Sequence, residues 1–223
     1  MHTLPDDGFG TLAIHAGQEP EPHSGAIMTP IYQTSTFVQD GVARPRNGYE
    51  YARMTNPTRT ALEANLAALE GGFAARAFGS GLAAMEAVLK ATLSAGDRVV
   101  AGDNLYGGSE RLFRFWERFG IDFEFVDSSD PEALRQGLST GARLVFLETP
   151  TNPLMQLTDL DACATIAHEA GHCWSWTIPS RHHGSSVRSN SAQTSSSIPP
   201  PSTWVATATC SAASSSCANP VRC

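Results

Sequence analysis

Lysine is almost missing from this chain: in 223 residues the only one is Lys90. The last quarter is poorer still. From His172 to Cys223 there is no Asp, Glu, Lys, Leu, Phe, Tyr or Met, while Ser, Pro, Thr and Ala dominate, so this segment lacks the residues that build a core. Its only formal charges are Arg181, Arg188 and Arg222, which leaves the preceding body more acidic than the whole-chain net charge of −7. An acidic body repels a polyanion and argues against nucleic acid as a partner. No run approaches the ~20 apolar residues of a membrane helix, and the start, MHTLPDDGFGTLA, has neither the basic opening nor the apolar stretch of a secretion signal. The expectation is a cytoplasmic protein without a membrane partner. Of five cysteines, Cys163 alone lies in the body; Cys173, Cys210, Cys217 and Cys223 match no metal or disulfide spacing.

What is present is a regular alternation. Asn56-Pro57, then Leu62, Leu66 and Leu69, then Gly71-Gly72 read as an N-cap, a proline at the first helical position, an apolar stripe and a stop. Ala74 to Phe78 suits a short strand, Gly79-Ser80-Gly81 a turn, and Leu82 to Leu93 a helix carrying Met85, Val88 and Leu89. Strand-like runs recur at Arg98 to Ala101, Phe123 to Val126 and Arg143 to Leu147. Helical patterns follow at Ser109 to Arg118, Pro131 to Leu138 and Asp159 to Ala170. Strand-helix alternation predicts an α/β fold, a mostly parallel sheet with helices on both faces. The Gly-, Pro- and polar-rich residues before Asn56 read as an extended arm. The expected divisions are an arm over 1–55, a partial α/β domain over 56–171 and a non-native tail over 172–223.

A strand ending in Gly79-Ser80-Gly81 and feeding a helix gathers backbone N–H groups at the positive end of a helix dipole, which suits a phosphate. The same residues also read as a simple helix cap. Gly79, Gly81 and Ala84 also fit a Gly-x-Gly-x-x-Ala dinucleotide turn, with Asp103 downstream, so a nicotinamide site stays open on these residues alone.

Longer segments decide: LAIHAGQ, TPIYQTSTF (Thr29 to Phe37), YEYARMTNPTR (Tyr49 to Arg59), FGSGLAAMEA (Phe78 to Ala87), DNLYGGSERLF (Asp103 to Phe113) and LETPTNP (Leu147 to Pro153). In this order they resemble the pyridoxal-phosphate (PLP) enzymes of Cys/Met metabolism, the trans-sulfuration enzymes that include cystathionine γ-synthases and γ-lyases. The resemblance implies the large domain of the fold-type I, aminotransferase-like PLP-dependent transferases, cut short. It implies PLP as cofactor, an amino-acid substrate and a homotetramer. By the same resemblance Gly81 and Leu82 offer N–H groups to the cofactor phosphate, with Ser80 in that turn, and Tyr51 and Arg53 reach the phosphate of a neighbouring subunit. Tyr106 stacks on the pyridine ring and shuttles a proton. Asn152 donates to the ring oxygen, and Glu148 stands at the same strand end, where a structural role is equally open.

The family needs a Schiff-base lysine, and Lys90, in the middle of a helix, is not at its place. It also expects an aspartate on a strand after the helix ending Ala170-Gly171, where HCWSWTIPS stands instead. Back-translation from each codon's third base permits Ala-Leu-Leu-Val-Val-Asp-Asn-Thr from His172 onward, with Asp forced at Trp176-Thr177. It permits Thr-Thr-Lys-Tyr-Leu-Gly-Gly-His-Ser-Asp over Pro199 to Thr209. These readings imply a frameshift near Gly171 and a chain that is itself catalytically inactive. A non-catalytic fragment with at most weak PLP affinity is the second reading, and a nicotinamide-binding domain the third.

Overall fold

The computed structural model describes residues 8–70, 72, 74–170, 175–178 and 204–208, the last two segments as backbone. The chain divides into two compact units with the boundary between Ala77 and Phe78. The helix from Asn56 therefore groups with the arm.

In the first unit, α1 (Phe9–His15) packs on α2 (Pro57–Leu69). Helix α1 lies where an extended arm was expected, and the correction has a tertiary cause. A seven-residue helix is too short to persist alone. Here it buries Leu12 and Ala16, and the Asn65 amide of α2 donates to the carbonyls of Leu12, Ala13 and Ala16 at 2.9, 3.3 and 2.9 Å. Gly17 follows at φ +69°, and a Cβ there would lie 2.6 Å from the Ala64 Cβ, so glycine permits both the left-handed turn and the approach. Asn56 caps α2 as expected, accepting from the Thr58 N–H at 2.9 Å, and its amide donates to the Tyr32 carbonyl. Thr58 adds bonds to the Pro30 carbonyl and from the Tyr32 N–H, so the cap also holds the TPIY segment. Strand β1 (Ala74–Phe78) runs across the boundary, all but its last residue belonging to this unit. Gly71, half of the expected stop, lies outside the described residues.

The second unit alternates as the sequence predicts: α3 (Gly81–Thr92), β2 (Arg98–Gly102), α4 (Gly107–Glu117), β3 (Asp122–Val126), α5 (Pro131–Leu138), β4 (Leu144–Glu148), α6 (Leu160–Glu169) and β5 (Ser175–Ile178). The four strands pair in the order β3-β2-β4-β5, all parallel. Alternation of side chains across the pleat sorts the core into two faces. Val99 and Ala101 of β2 with Leu144 and Phe146 of β4 meet Met85 and Leu89 of α3 and Phe113 of α4. Val100, Val145 and Leu147 face Leu134 and Leu138 of α5 and Cys163 and Ile166 of α6. Both faces of β4 are covered, which is why it reads as an unbroken apolar run. This is the expected fold class.

Helix α4 begins two residues earlier than the sequence suggests, because Gly107-Gly108 opens the helix instead of breaking the chain before it. Tyr106 is the N-cap, and a Cβ on Gly108 would lie 2.3 Å from the Tyr106 ring, so only glycine lets the ring lie there. The segment read as a non-native tail lies mostly outside the described residues. Within it, Ser175–Ile178 forms β5 and Trp204–Ala208 forms β6. Among the described residues, no helix is long and apolar enough to cross a membrane.

Candidate functional site

Parallel strands send their carboxyl ends to one edge, and ligands of open α/β sheets bind there, in the loops that follow. Three such loops in the second unit are bound to each other. Glu148, the last residue of β4, is buried, and the backbone N–H groups of Tyr106 and Asn152 both donate to its carboxylate, the former at 3.0 Å. Tyr106, Glu148 and Asn152 are therefore brought together, and Glu148 is the hub. The Tyr106 ring is half exposed at the N-terminus of α4, available as a flat face, and Asn152 is exposed. The loop after β4 carries cis peptide bonds at Thr149-Pro150 and Asn152-Pro153.

Burial raises the Glu148 carboxyl above its ordinary 4.5, and the N–H groups of Tyr106 and Asn152 only partly offset this. Because the folded value is raised, the carboxyl's contribution to stability is full below the unfolded value and is lost as pH climbs through the folded one. Glu148→Gln keeps an acceptor oxygen and cannot ionise. Relative to the parent, the variant is expected to gain stability between about pH 4 and about pH 8, by about 1.4 kcal/mol for every pH unit by which burial lifts the carboxyl. Denaturant midpoints of both proteins at the two pH values check this; a difference that ignores pH refutes the assignment.

Gly81 and Leu82 are the first two residues of α3, so their N–H groups have no acceptor within the helix. Ser80 is the N-cap, its Oγ accepting from the Ala83 N–H at 3.1 Å. The cap reading of this serine holds, and it leaves the hydroxyl proton free to be donated. Helix α3 packs beside α4. In the first unit, the Arg53 guanidinium lies 4.8 Å from the centroid of the Tyr51 ring, so this pair is also brought together. Arg59 holds their segment, donating to the carbonyls of Ala52, Arg53 and Met54 while its Nε lies 3.6 Å from Glu63. Arg59 stands in the quoted motif, but its use as a clamp was not foreseen.

Also unforeseen was a second layer of polar contacts. The Asn104 amide donates to Thr151 Oγ1 at 2.8 Å and to Gln156 Oε1 at 3.2 Å, joining the loops after β2 and β4. Thr158 bonds Ser128 Oγ at 2.9 Å, joining the loops after β3 and β4. The polar runs DNLY and TPTNPLMQLTD mark these loops, but the pairing is non-local and invisible to spacing.

The residues in place suit a phosphate ester (unpaired first-turn N–H groups, a serine hydroxyl) and an aromatic ring (Tyr106, Asn152). Among the described residues no amine accompanies them: Lys90 is exposed on α3 and paired with Glu86 at 2.7 Å. Burial pushes the Cys163 thiol up to about 11, so it is no nucleophile. Among the described residues, no cluster of His, Cys, Asp or Glu could hold a metal ion.

Comparison with known proteins agrees with this layout. The model of the Cys/Met metabolism PLP-dependent enzymes matches residues 10–177, reaching into β5. A probable cystathionine gamma-synthase of Herpetosiphon aurantiacus is 51% identical over 174 residues, covering 78% of this chain and 53% of that protein. The crystal structure of metB from Corynebacterium glutamicum superposes with a TM-score of 0.78 at 32% identity, covering 93% of this chain and 57% of that one. Cystathionine gamma-lyase from Lactobacillus plantarum, complexed with L-serine, gives 0.76 at 33% identity, covering 91% and 55%. The chain spans about half the length of the relatives it matches. It belongs to the Cys/Met metabolism family of PLP-dependent enzymes, the trans-sulfuration enzymes related to cystathionine γ-synthase and γ-lyase.

Proposed function

We propose that the chain is part of a trans-sulfuration enzyme that replaces or eliminates the γ-substituent of a homoserine ester, cystathionine or methionine, and that as written it binds PLP without turning substrate over. The observation that carries the second half is Lys90. It is the sole lysine, exposed and ion-paired on α3, and no other amine side chain exists to form the Schiff base. PLP, when bound, supplies the electron sink for chemistry beyond Cα. This chain contributes the holding groups. The N–H groups of Gly81 and Leu82 and the Ser80 hydroxyl take the phosphate, and the dipole of α3 favours its charge. Tyr106 covers the ring and Asn152 donates to the ring oxygen, with Glu148 fixing both through their backbones. Tyr51 and Arg53 serve the phosphate of a neighbouring subunit in a homotetramer, where a guanidinium fork suits a dianion. The names of the relatives include both synthases and lyases.

Equilibrium dialysis tests the reading. The 223-residue chain is expected to retain PLP more strongly than unphosphorylated pyridoxal, inorganic phosphate should compete, and a homoserine ester with a thiol should not turn over. Saturable pyridoxyl labelling of Lys90 after borohydride, or equal affinity for PLP and pyridoxal, would refute it. NADH binding that PLP leaves untouched would favour the dinucleotide reading.

A further inference from the structure

We propose that Gln156 is a positioning residue that sets Asn152 and Tyr106 against the cofactor ring; the inference rests on the PLP-site reading above and names a residue that reading does not use. Gln156 lies on the loop after β4, and its one side-chain amide reaches the loops after both other strands of the site edge. Its Oε1 accepts from Asn104 Nδ2 at 3.2 Å, and Asn104 is two residues before Tyr106. Its Nε2 donates to Asp127 Oδ1 at 2.8 Å and to Ser129 Oγ at 2.7 Å, beyond the end of β3.

The backbone of the same residue closes the turn that contains Asn152. The Gln156 N–H donates to Thr151 Oγ1 at 2.9 Å, and the Thr151 N–H donates to the Gln156 carbonyl at 3.0 Å. Asn152 is the first residue inside that closed turn. Thr151 is fully buried and its hydroxyl also accepts from Asn104, so the three side chains Asn104, Thr151 and Gln156 form one connected unit. The base of the loop has its own tie, the Thr158 N–H donating to Thr149 Oγ1 at 3.0 Å. Gln156 holds the middle of the loop, where Asn152 is.

The acceptor end is built to stay charged. Asp127 receives the Ser129 hydroxyl at 2.6 Å and the Ser129 N–H at 2.9 Å, and these bonds, with that from Gln156, hold its carboxyl below the ordinary range. An amide is therefore required at position 156: one oxygen toward Asn104 and one N–H donor toward a carboxylate. A glutamate there would face Asp127 with like charge. With Asp127→Asn and Gln156→Glu together the like charge is gone: Oδ1 at position 127 keeps the Ser129 N–H, the Ser129 hydroxyl can turn its proton to the carboxylate at position 156, and Asn104 keeps its acceptor.

The test uses the full chain in two arms. In the ligand-free chain, Gln156→Leu and Gln156→Glu are expected to speed hydrogen exchange at the amides of Asn152 and Tyr106, with Val99 to Ala101 of β2 as the unchanged reference. In the binding arm, each single variant is expected to hold PLP about tenfold more weakly, the size of one to two net hydrogen bonds. Inorganic phosphate, whose holding groups in that reading are the turn at Ser80 to Leu82 and the Tyr51–Arg53 pair of a neighbouring subunit, needs neither Asn152 nor the Tyr106 ring and should bind as in the parent. The double variant Asp127→Asn/Gln156→Glu should recover protection and PLP affinity together. Unchanged exchange at both amides in the single variants overturns the inference. So does faster exchange with unchanged PLP affinity, or PLP and phosphate affinity falling together. Should a single variant lose protection throughout β2, the double variant decides: recovery supports the positioning role, and its absence overturns it. A parent that fails to bind PLP defeats the proposed function, and the exchange arm then decides the role of Gln156 alone.

Discussion

One base inserted at the Gly171 codon is expected to give a protein that borohydride marks with pyridoxyl, saturably, at a lysine the present chain does not contain. In that frame the junction of Pro201 and Ser202 permits lysine, and Trp176-Thr177 can encode only aspartate. The geometry of the described strands supports the second position. Strand β5 runs parallel to β4 with Trp176 beside Phe146, Thr177 beside Leu147 and Ile178 beside Glu148. An aspartate arising at Trp176-Thr177 would stand on the strand next to the Glu148 hub, within a residue of its level and at the edge where Tyr106 and Asn152 meet. With an amine to tether the cofactor and a base to move protons, turnover of a homoserine ester with a thiol should rise from background by at least ~10²-fold, the lower range for one positioned acid-base group. A saturable label at the new lysine with turnover supports the frameshift. A restored-frame protein that folds and binds PLP, yet takes no label, defeats it.

The alternating body was legible in the sequence because its signals are local. Asn56, Asp130 and Asp159 cap the helices they precede, with bonds to Thr58, Glu132 and Ala162. Strands β2 and β4 carry apolar runs, that of β4 buried on both faces, and the loops between the elements are short. Helix α1 was illegible because its stability is borrowed from Asn65 of α2, about fifty residues away. The start of α4 was misplaced because Gly107-Gly108 has two meanings, and only the Tyr106 ring lying over Gly108 selects between them. The candidate site divides in the same way. Its contact residues follow from motif resemblance, whereas the ties of Glu148 to Tyr106 and Asn152, and of Gln156 to three loops, join residues whose only common property is the sheet edge. A sequence pattern marks what touches a ligand better than what holds the toucher still.

Phe113→Ala should cost about 3–5 kcal/mol of unfolding free energy, the range for an aromatic ring removed from a packed core. Phe113 is fully buried on α4, stacked on Phe123 with ring centroids 4.7 Å apart and edge-on to Phe146 at 4.9 Å. Removing it leaves a cavity that α4 can fill only by sinking toward the sheet, and the N-terminus of α4 carries Tyr106. Set against the ~5–15 kcal/mol that holds a typical domain folded, the loss is a large fraction of the total. Phe113→Leu retains most of the volume and should cost less than about 1.5 kcal/mol. Phe119, just beyond the end of the same helix, is the control. It is 56% exposed and touches Phe115 and Trp116, so Phe119→Ala should cost less than about 1 kcal/mol. Urea unfolding of the three variants orders them. Equal losses for Phe113→Ala and Phe119→Ala would mean that α4 packs on the sheet by another face, and that the position assigned to Tyr106 fails with it.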